Sequence, residues 1–140
     1  MKKQSISYPL LALAVVALAA AACGFNVSTA NIKEAVLAKG YENSEAVDPT
    51  TVFAQSDQTL HLVVKVANAP DDTTVKAVWQ IGQVEGYDPG VIDETTLTLD
   101  SGQDSIDFTL SNDQLWPVGK YKVDLYLDDK LDRTLEYEVQ

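Results

Sequence analysis

The stretch from Trp116 to Val139, WPVGKYKVDLYLDDKLDRTLEYEV, decides the fold that this sequence predicts. Apolar and polar side chains alternate along it with a period of two, which indicates two half-buried antiparallel strands joined at Asp128-Asp129. An isolated hairpin cannot bury its apolar face, so the residues before Trp116 must supply an opposing sheet. The apolar face predicted for the hairpin consists of Tyr121, Val123, Leu125, Leu127, Leu131, Leu135, Tyr137 and Val139, and Arg133 interrupts it.

Strand signals are also dense upstream of this hairpin. Alternating apolar residues recur over residues 60–66, 75–81, 95–99 and 106–110, with turn residues between them. About seven strands and no convincing long helix predict an all-β, antiparallel two-sheet sandwich.

The first part of the domain, residues 31–40 (NIKEAVLAKG), allows two interpretations. Asn31 and Glu34 have the spacing of a helix capping box, and Ile32, Ala35 and Val36 have helical spacing. A sandwich, however, needs a first strand in this region. The sequence therefore favours a strand over residues 31–40, with a helix as the alternative.

Residues 1–22 have the composition of a secretory signal peptide. Lys2 and Lys3 precede an apolar run over residues 9–22 that ends in small residues. The run is shorter than the roughly 20 apolar residues that a membrane-spanning helix needs. We therefore expect export from the cytoplasm and cleavage after residue 22.

The only cysteine of the chain, Cys23, directly follows three alanines. This arrangement resembles a bacterial lipobox, although Ala20 stands where leucine is commonest. The resemblance implies a diacylglycerol on the Cys23 sulfur and a fatty acyl chain such as palmitate on its amino group. A lone thiol in an exported protein has no disulfide partner, which favours acylation over a free thiol.

The same resemblance predicts where the protein resides. Gly24 directly follows Cys23, and a glycine at this position resembles lipoproteins that are not retained at the inner membrane. Residues 23–30 then form an acylated tether, and more than one acyl chain makes the anchoring stable. We expect a lipid-anchored protein of the bacterial cell envelope on the extracytoplasmic side of a membrane, the outer membrane if the cell has one.

Charge limits the partners of the cleaved protein. Loss of residues 1–22 leaves 118 residues with 8 basic and 21 acidic side chains, a net charge of −13. Nucleic acid is not an expected partner, because phosphate binding needs a basic face. Anionic lipid is also a poor surface for such a domain to lie on.

The length of the cleaved protein fits one domain, residues 31–140, with a core formed by packing without disulfides.

Two features resemble an immunoglobulin-like or fibronectin type III-like domain. Trp79 lies near the middle of a strong strand, where such folds bury a tryptophan between the sheets. Gly119-Lys120-Tyr121-Lys122-Val123 is similar to the tyrosine-corner pattern, with Val123 where a disulfide-bonded domain has its second cysteine. Val64 or a neighbour stands at the position of the other cysteine. Apolar side chains must therefore fill the space that the disulfide occupies in those domains. The chain from Ile92 to Val139 resembles bacterial envelope lipoproteins with one such sandwich, whose function is undetermined.

No group of residues in the sequence indicates catalysis. His61, the only histidine, lies on the strand face opposite Leu60 and Leu62, which favours an exposed polar position over a ligand. A zinc site needs several Cys and His ligands, which the chain does not supply. Motifs such as GxSxG, the P-loop and HExxH are also missing. We expect a protein that is not an enzyme and that holds no cofactor apart from the lipid on Cys23.

Calcium binding is the alternative function, because loop carboxylates gather around one turn. Asp100, Asp104 and Asp107 bracket this turn and could contribute some of the six to eight oxygens that calcium takes. No twelve-residue calcium loop with the required spacing is present. Strand parity also places Asp107 outward, beside Ile106 and Phe108, where solvation alone explains it.

Aromatic residues provide the candidates for partner binding. Tyr87 stands in a loop with Pro89, Trp116 precedes Pro117, and Tyr126 points away from the apolar face of its strand. Accessible Tyr and Trp side chains are common in interfaces. Alternatively, Trp116 caps the core and Tyr126 packs on a neighbour.

The leading functional prediction is a non-enzymatic interaction module that binds another envelope protein or a polymer.

Overall fold

The computed structural model describes residues 29–140, which form two β-sheets. The predictions for the signal peptide over residues 1–22 and for Cys23 lie outside this range. The all-β, two-sheet prediction is confirmed, with nine strands in the described part instead of about seven. The strands are β1 (Asn31–Glu42), β2 (Glu45–Pro49), β3 (Val52–Phe53), β4 (Thr59–Ala67), β5 (Thr74–Val84), β6 (Gly90–Thr98), β7 (Ser105–Ser111), β8 (Gly119–Leu127) and β9 (Lys130–Val139).

The strands are divided between a four-stranded and a five-stranded sheet. The four-stranded sheet has the order β2-β1-β4-β7, and the five-stranded sheet has the order β3-β9-β8-β5-β6. All neighbours are antiparallel except β3 and β9, which are parallel. Within residues 29–140, no helix has the length and apolar character needed to cross a membrane.

Residues 31–40 belong to a strand, so the helical alternative is wrong. β1 pairs with β4 from Asn31 to Ala38, and a bulge at Lys33 shifts the register once. Ile32 and Leu37 are buried against the opposing sheet. Pairing with β4 and burial of this face outweigh the local preference of the capping-box pattern, because propensity is a weak determinant beside tertiary packing.

The core lies between the two sheets around Trp79, as predicted. Trp79 has no exposed surface, and its ring meets the Tyr137 ring edge to face at a centroid distance of 6.1 Å. Val64 and Val123, which occupy the region of the missing disulfide, are also fully buried. Apolar packing therefore replaces the covalent link between the sheets.

Tyr121 forms the predicted tyrosine corner. Its hydroxyl donates a hydrogen bond to the backbone carbonyl of Pro117 at 2.6 Å. Its ring stacks on Tyr137 with 5.3 Å between centroids and 12° between planes. The corner therefore ties the β7–β8 loop to the core.

The β8–β9 hairpin has the predicted turn, but its second strand departs from the predicted alternation. Asp128 and Asp129 both have positive φ, 47° and 65°, as in a two-residue type I′ turn. The register then pairs Tyr126 with Leu131 and Leu125 with Arg133, which leaves Asp132 as a bulge. Leu131 consequently faces outward and is 56% exposed, so its assignment to the apolar face is wrong.

Arg133 takes the inward position that the bulge creates. Its guanidinium donates a hydrogen bond to the Ile32 carbonyl at 2.8 Å. Ile32 belongs to the four-stranded sheet and Arg133 to the five-stranded sheet. The residue that interrupts the apolar pattern therefore links the two sheets.

The antiparallel strands give the sandwich two ends, which we call proximal and distal. The proximal end contains the start of β1 at Asn31 and the turns β4–β5, β6–β7 and β8–β9, because Asn31 pairs with Ala67 and Leu127 with Val75. The distal end contains the β5–β6 turn and the β7–β8 loop, because Val84 pairs with Gly119. The tether predicted over residues 23–30 therefore joins the proximal end.

Candidate interaction surface

Trp116 closes the distal end of the core and does not lie on the surface. It is 5% exposed, and its indole Nε1 donates a hydrogen bond to the Asp57 carbonyl at 2.7 Å. Its backbone N–H donates to the Gln55 carbonyl at 3.0 Å, and the Gln55 side chain donates back to the Trp116 carbonyl at 2.9 Å. Trp116 is thus a cap on the core, the alternative named above, and is not available to a partner here.

The residues on either side of this cap are the exposed ones. Leu115 is 64% and Val118 is 53% exposed. Trp116 and Tyr121 anchor the β7–β8 loop to the core; Val118 lies between these two anchors, and Leu115 directly precedes the first of them. The sequence analysis missed both residues, although their positions beside a buried Trp-Pro pair are a usable signal.

Tyr87 contributes a third exposed apolar side chain at the same end. It is 56% exposed and follows Gly86, whose φ of +84° allows a tight turn in which the Tyr87 N–H donates to the Val84 carbonyl at 3.2 Å. Burial raises the pKa of Tyr121, and the nearby Tyr87 phenol raises this pKa further. Val84 forms a bridge with Tyr87 and pairs with Gly119 at the start of β8, so Tyr87 lies close to the tyrosine corner. We call Tyr87, Leu115 and Val118 the distal apolar surface.

Tyr126 lies on a different part of the molecule. Its side chain is on the outer face of the five-stranded sheet, in register with Lys76 near the proximal end. The Lys76 ammonium is 4.5 Å from the centroid of the Tyr126 ring, a cation–π distance. Tyr126 therefore packs on a neighbour, and the structure does not bring it together with Tyr87.

A shallow groove of about 470 Å³ lies on the outer face of the five-stranded sheet. Lys120 is paired in register with Glu138, and Lys122 with Glu136. Opposite charges therefore face each other across the strands, which gives the groove no strong net charge. The remaining lining residues are Thr51, Val52, Gly82, Gln83, Tyr121 and Tyr137.

The three aspartates considered for calcium do not converge. Asp100 and Asp104 belong to the β6–β7 turn, where the Asp104 carbonyl accepts a hydrogen bond from the Val66 N–H. Asp107 lies within β7 and contacts His61. Among residues 29–140, no group of three or more His, Cys, Asp or Glu side chains is placed to hold a metal ion.

His61 is half-buried, so the expectation of an exposed position needs correction. Its Nδ1 lies 2.9 Å from an Asp107 carboxylate oxygen on the outer face of the four-stranded sheet. On the same face Val63 is buried, and Lys65 contacts the Ser44 carbonyl and the Glu45 carboxylate at the tip of the β1–β2 hairpin. The hairpin therefore lies across this face.

Solved structures share this architecture. An immunoglobulin-like protein from Pseudomonas aeruginosa is similar with a TM-score of 0.56 and 15% sequence identity, over 84% of this chain and all of that chain. The fold is immunoglobulin-like. At this identity the likeness concerns the fold alone. No protein-family model matches the sequence, and no curated protein matches it.

Two other structures have weaker likeness to the chain. A β-glucosidase from Listeria innocua has a TM-score of 0.46 and 18% identity, over 76% of this chain and 16% of the enzyme. A superoxide reductase (neelaredoxin) from Ignicoccus hospitalis has a TM-score of 0.41 and 17% identity, over 80% of each chain. These likenesses carry no argument about function.

Proposed function

We propose that the protein is a lipid-anchored, extracytoplasmic, non-enzymatic interaction module that binds another envelope protein or a polymer through its distal apolar surface. The observation that carries this proposal is the location of Tyr87, Leu115 and Val118 at the end opposite the start of β1. An anchor at Cys23 places the proximal end toward the membrane. The distal apolar surface then points away from it.

The side chains of this surface, and the fixed loop that carries two of them, suit a binding role. Three exposed apolar side chains share the distal end, and exposed apolar surface is typical of interaction sites, in which aromatic residues with few rotatable bonds are common anchors. The β7–β8 loop is also held in place by the Trp116 and Tyr121 hydrogen bonds at 2.7 and 2.6 Å. A fixed loop loses little conformational entropy on binding.

The polar groups of the described residues support a role without catalysis. His61 is the only histidine of the chain, and its Nδ1 is engaged by Asp107 at 2.9 Å. The Lys and Glu residues of the groove lie opposite each other in register across β8 and β9. Asp107 on Nδ1 fixes the orientation of the imidazole, and among residues 29–140 no further His, Cys, Asp or Glu joins the pair to hold a metal ion.

The test is capture of partners in intact bacterial cells that make the full chain. Cross-linking followed by affinity purification and mass spectrometry would compare the natural protein with a double variant, Leu115→Ser with Val118→Ser. The matched control is Leu131→Ser, because Leu131 is 56% exposed but lies at the proximal end.

We expect the double variant to recover at least about tenfold less partner, because two apolar contacts at an interface core are together worth more than about 1.4 kcal/mol. The control variant should recover as much partner as the natural protein. Equal recovery by the double variant, or no partner in any sample, would contradict the proposal.

A further inference from the structure

The edge strand β7 presents unpaired backbone groups. It pairs with β4 over all seven of its residues without a shift of register. Hydrogen bonds from the Val66 N–H to the Asp104 carbonyl and from the Asn112 N–H to the Gln58 carbonyl fix the alternation of the ladder. The backbone groups that face away from β4 therefore belong to Ser105, Asp107, Thr109 and Ser111. Of these, the Ser105 carbonyl accepts a hydrogen bond from Gln103 Nε2 at 3.4 Å.

The other long edges in the described part of the chain have features that block pairing. β6 has a bulge at Ile92, and Asp93 follows it on the inward-facing side, opposite Trp79. β9 has the bulge at Asp132 and the inward Arg133. β1 has its own bulge, and β2 ends in a proline. Bulges, inward charges and prolines protect sheet edges from pairing with another strand.

We infer that β7 pairs antiparallel with β7 of a second copy of this chain, with the two-fold axis at Phe108. In this register Asp107 faces Thr109 of the second copy, and Ser105 faces Ser111 of the second copy. The two-fold axis repeats both contacts, which gives four pairs. Each Asp107–Thr109 pair exchanges two backbone hydrogen bonds, and each Ser105–Ser111 pair does so once the second copy displaces the Gln103 side chain from the Ser105 carbonyl. The two four-stranded sheets then become one continuous sheet. This inference goes beyond the proposed function, because it concerns a different surface and self-association.

Charge disfavours one neighbouring register and the parallel direction, and the axis at Phe108 gives four hydrogen-bonded pairs where an axis at Thr109 gives three. Moving the axis to Asp107 would place two Asp107 carboxylates opposite each other, which is unfavourable in a strand pair. A parallel pair would bring the acidic turns of both proximal ends side by side. An antiparallel pair keeps them apart. These turns carry Asp71, Asp72, Asp100, Asp104, Asp128 and Asp129.

The register makes residue 109 the decisive position. Thr109 is exposed, so substitutions there leave the core intact. Thr109→Asp would place a second carboxylate opposite Asp107 of the other copy, twice per dimer. Thr109→Lys would place an ammonium there instead. Two variants at one position therefore test the same contact: Thr109→Asp should weaken the dimer, and Thr109→Lys should not.

The experiment is sedimentation equilibrium of the purified full chain in density-matched detergent, with the melting temperature of each variant as a check of folding. We expect a concentration-dependent dimer for the natural chain. Thr109→Asp should raise its dissociation constant about tenfold, as two repulsive cross-strand pairs predict. Thr109→Lys should leave the dissociation constant unchanged or lower it.

A further variant, Thr109→Pro, removes an N–H that the fold does not use and blocks the edge. It should abolish the dimer. Association through the apolar residues 9–22 would persist in Thr109→Asp and Thr109→Pro. A natural chain that stays monomeric, or a dimer that neither of these variants weakens, would overturn the inference.

Discussion

At the residue scale, two stacked tyrosines differ in what their hydroxyls contact. The Tyr121 hydroxyl donates to the Pro117 carbonyl at 2.6 Å. The Tyr137 hydroxyl is buried and has no hydrogen-bond partner among the described residues. Burial raises the pKa of Tyr137, and neighbouring Tyr121 raises it further. Tyr137 therefore stays neutral and contributes chiefly through its ring.

This difference predicts opposite results for the same chemical change. Tyr121→Phe should lower the free energy of unfolding by about 1 kcal/mol, the net worth of one hydrogen bond. Tyr137→Phe should leave stability unchanged or raise it, because it removes a buried polar atom that lacks a partner. Urea unfolding followed by Trp79 and Trp116 fluorescence measures both. A larger loss in Tyr137→Phe than in Tyr121→Phe would contradict the assignment of the corner.

Local patterns were sufficient to predict some residues but not others. The burial of Trp79 follows from alternation along its strand, and the role of Tyr121 follows from a short motif. Each prediction depends on one strand alone. His61 was assigned to the correct face, yet on that face Asp107 contacts its ring, and Ser44 and Glu45 of the β1–β2 hairpin contact Lys65. Strand parity does not encode what another segment places on a sheet. The His61–Asp107 contact in turn depends on the register of β4 with β7, which pairs Val63 with Asp107 and which alternation within one strand does not reveal.

At the element scale, bulges explain the main departure from the predicted pattern. A period of two assigns Leu131 and Leu135 to one face, but the extra residue Asp132 between them reverses the side of Leu131. The turn itself was predictable, because two adjacent aspartates tolerate positive φ. Arg133 in the middle of the apolar face was the only sequence signal of this bulge.

The pairing of β5 with β8 depends on one glycine. Gly119 has a φ of +154°, and a Cβ added there would lie 2.6 Å from the Gln83 carbonyl oxygen and 2.8 Å from Val84 Cγ2. Gly90 has no neighbour within 4 Å of such a Cβ. These two glycines therefore form a matched pair, one enclosed by the neighbouring strand and one open.

Gly119→Ala should reduce the free energy of unfolding by about 2–4 kcal/mol, because backbone strain and overpacking add. Gly90→Ala should change it by less than about 0.5 kcal/mol. Thermal and urea unfolding of the two variants provide the measurement. A Gly119→Ala protein as stable as the natural one would show that the β5–β8 contact at this end is looser than the structure indicates.

At the scale of the whole molecule, the direction of the strands separates the two proposed surfaces. The distal apolar surface lies at one end, and the β7 edge runs along the side of the sandwich. Sequence analysis predicted Tyr87 as a binding residue but could not group it with Leu115 and Val118. That grouping requires knowledge that Val84 pairs with Gly119, a contact between residues 35 positions apart.

Length decides whether both surfaces can be used at once. In an antiparallel pair, the proximal end of one copy lies beside the distal end of the other. Strand β5, which runs from the proximal to the distal end, has 11 residues and spans about 36 Å. The proposed tether of residues 23–30 reaches at most about 29 Å when fully extended. Two paired copies anchored in one membrane therefore cannot both direct their distal ends away from it.

Pairing should therefore compete with presentation of the distal apolar surface. In cells, Thr109→Asp should recover more partner than the natural chain by cross-linking and mass spectrometry, because more copies stand upright as monomers. Thr109→Lys should recover the same amount or less. Thr109→Asp combined with Leu115→Ser and Val118→Ser should lose the gain, since the binding surface itself is then removed. Equal recovery by Thr109→Asp and Thr109→Lys would show that the two surfaces act independently.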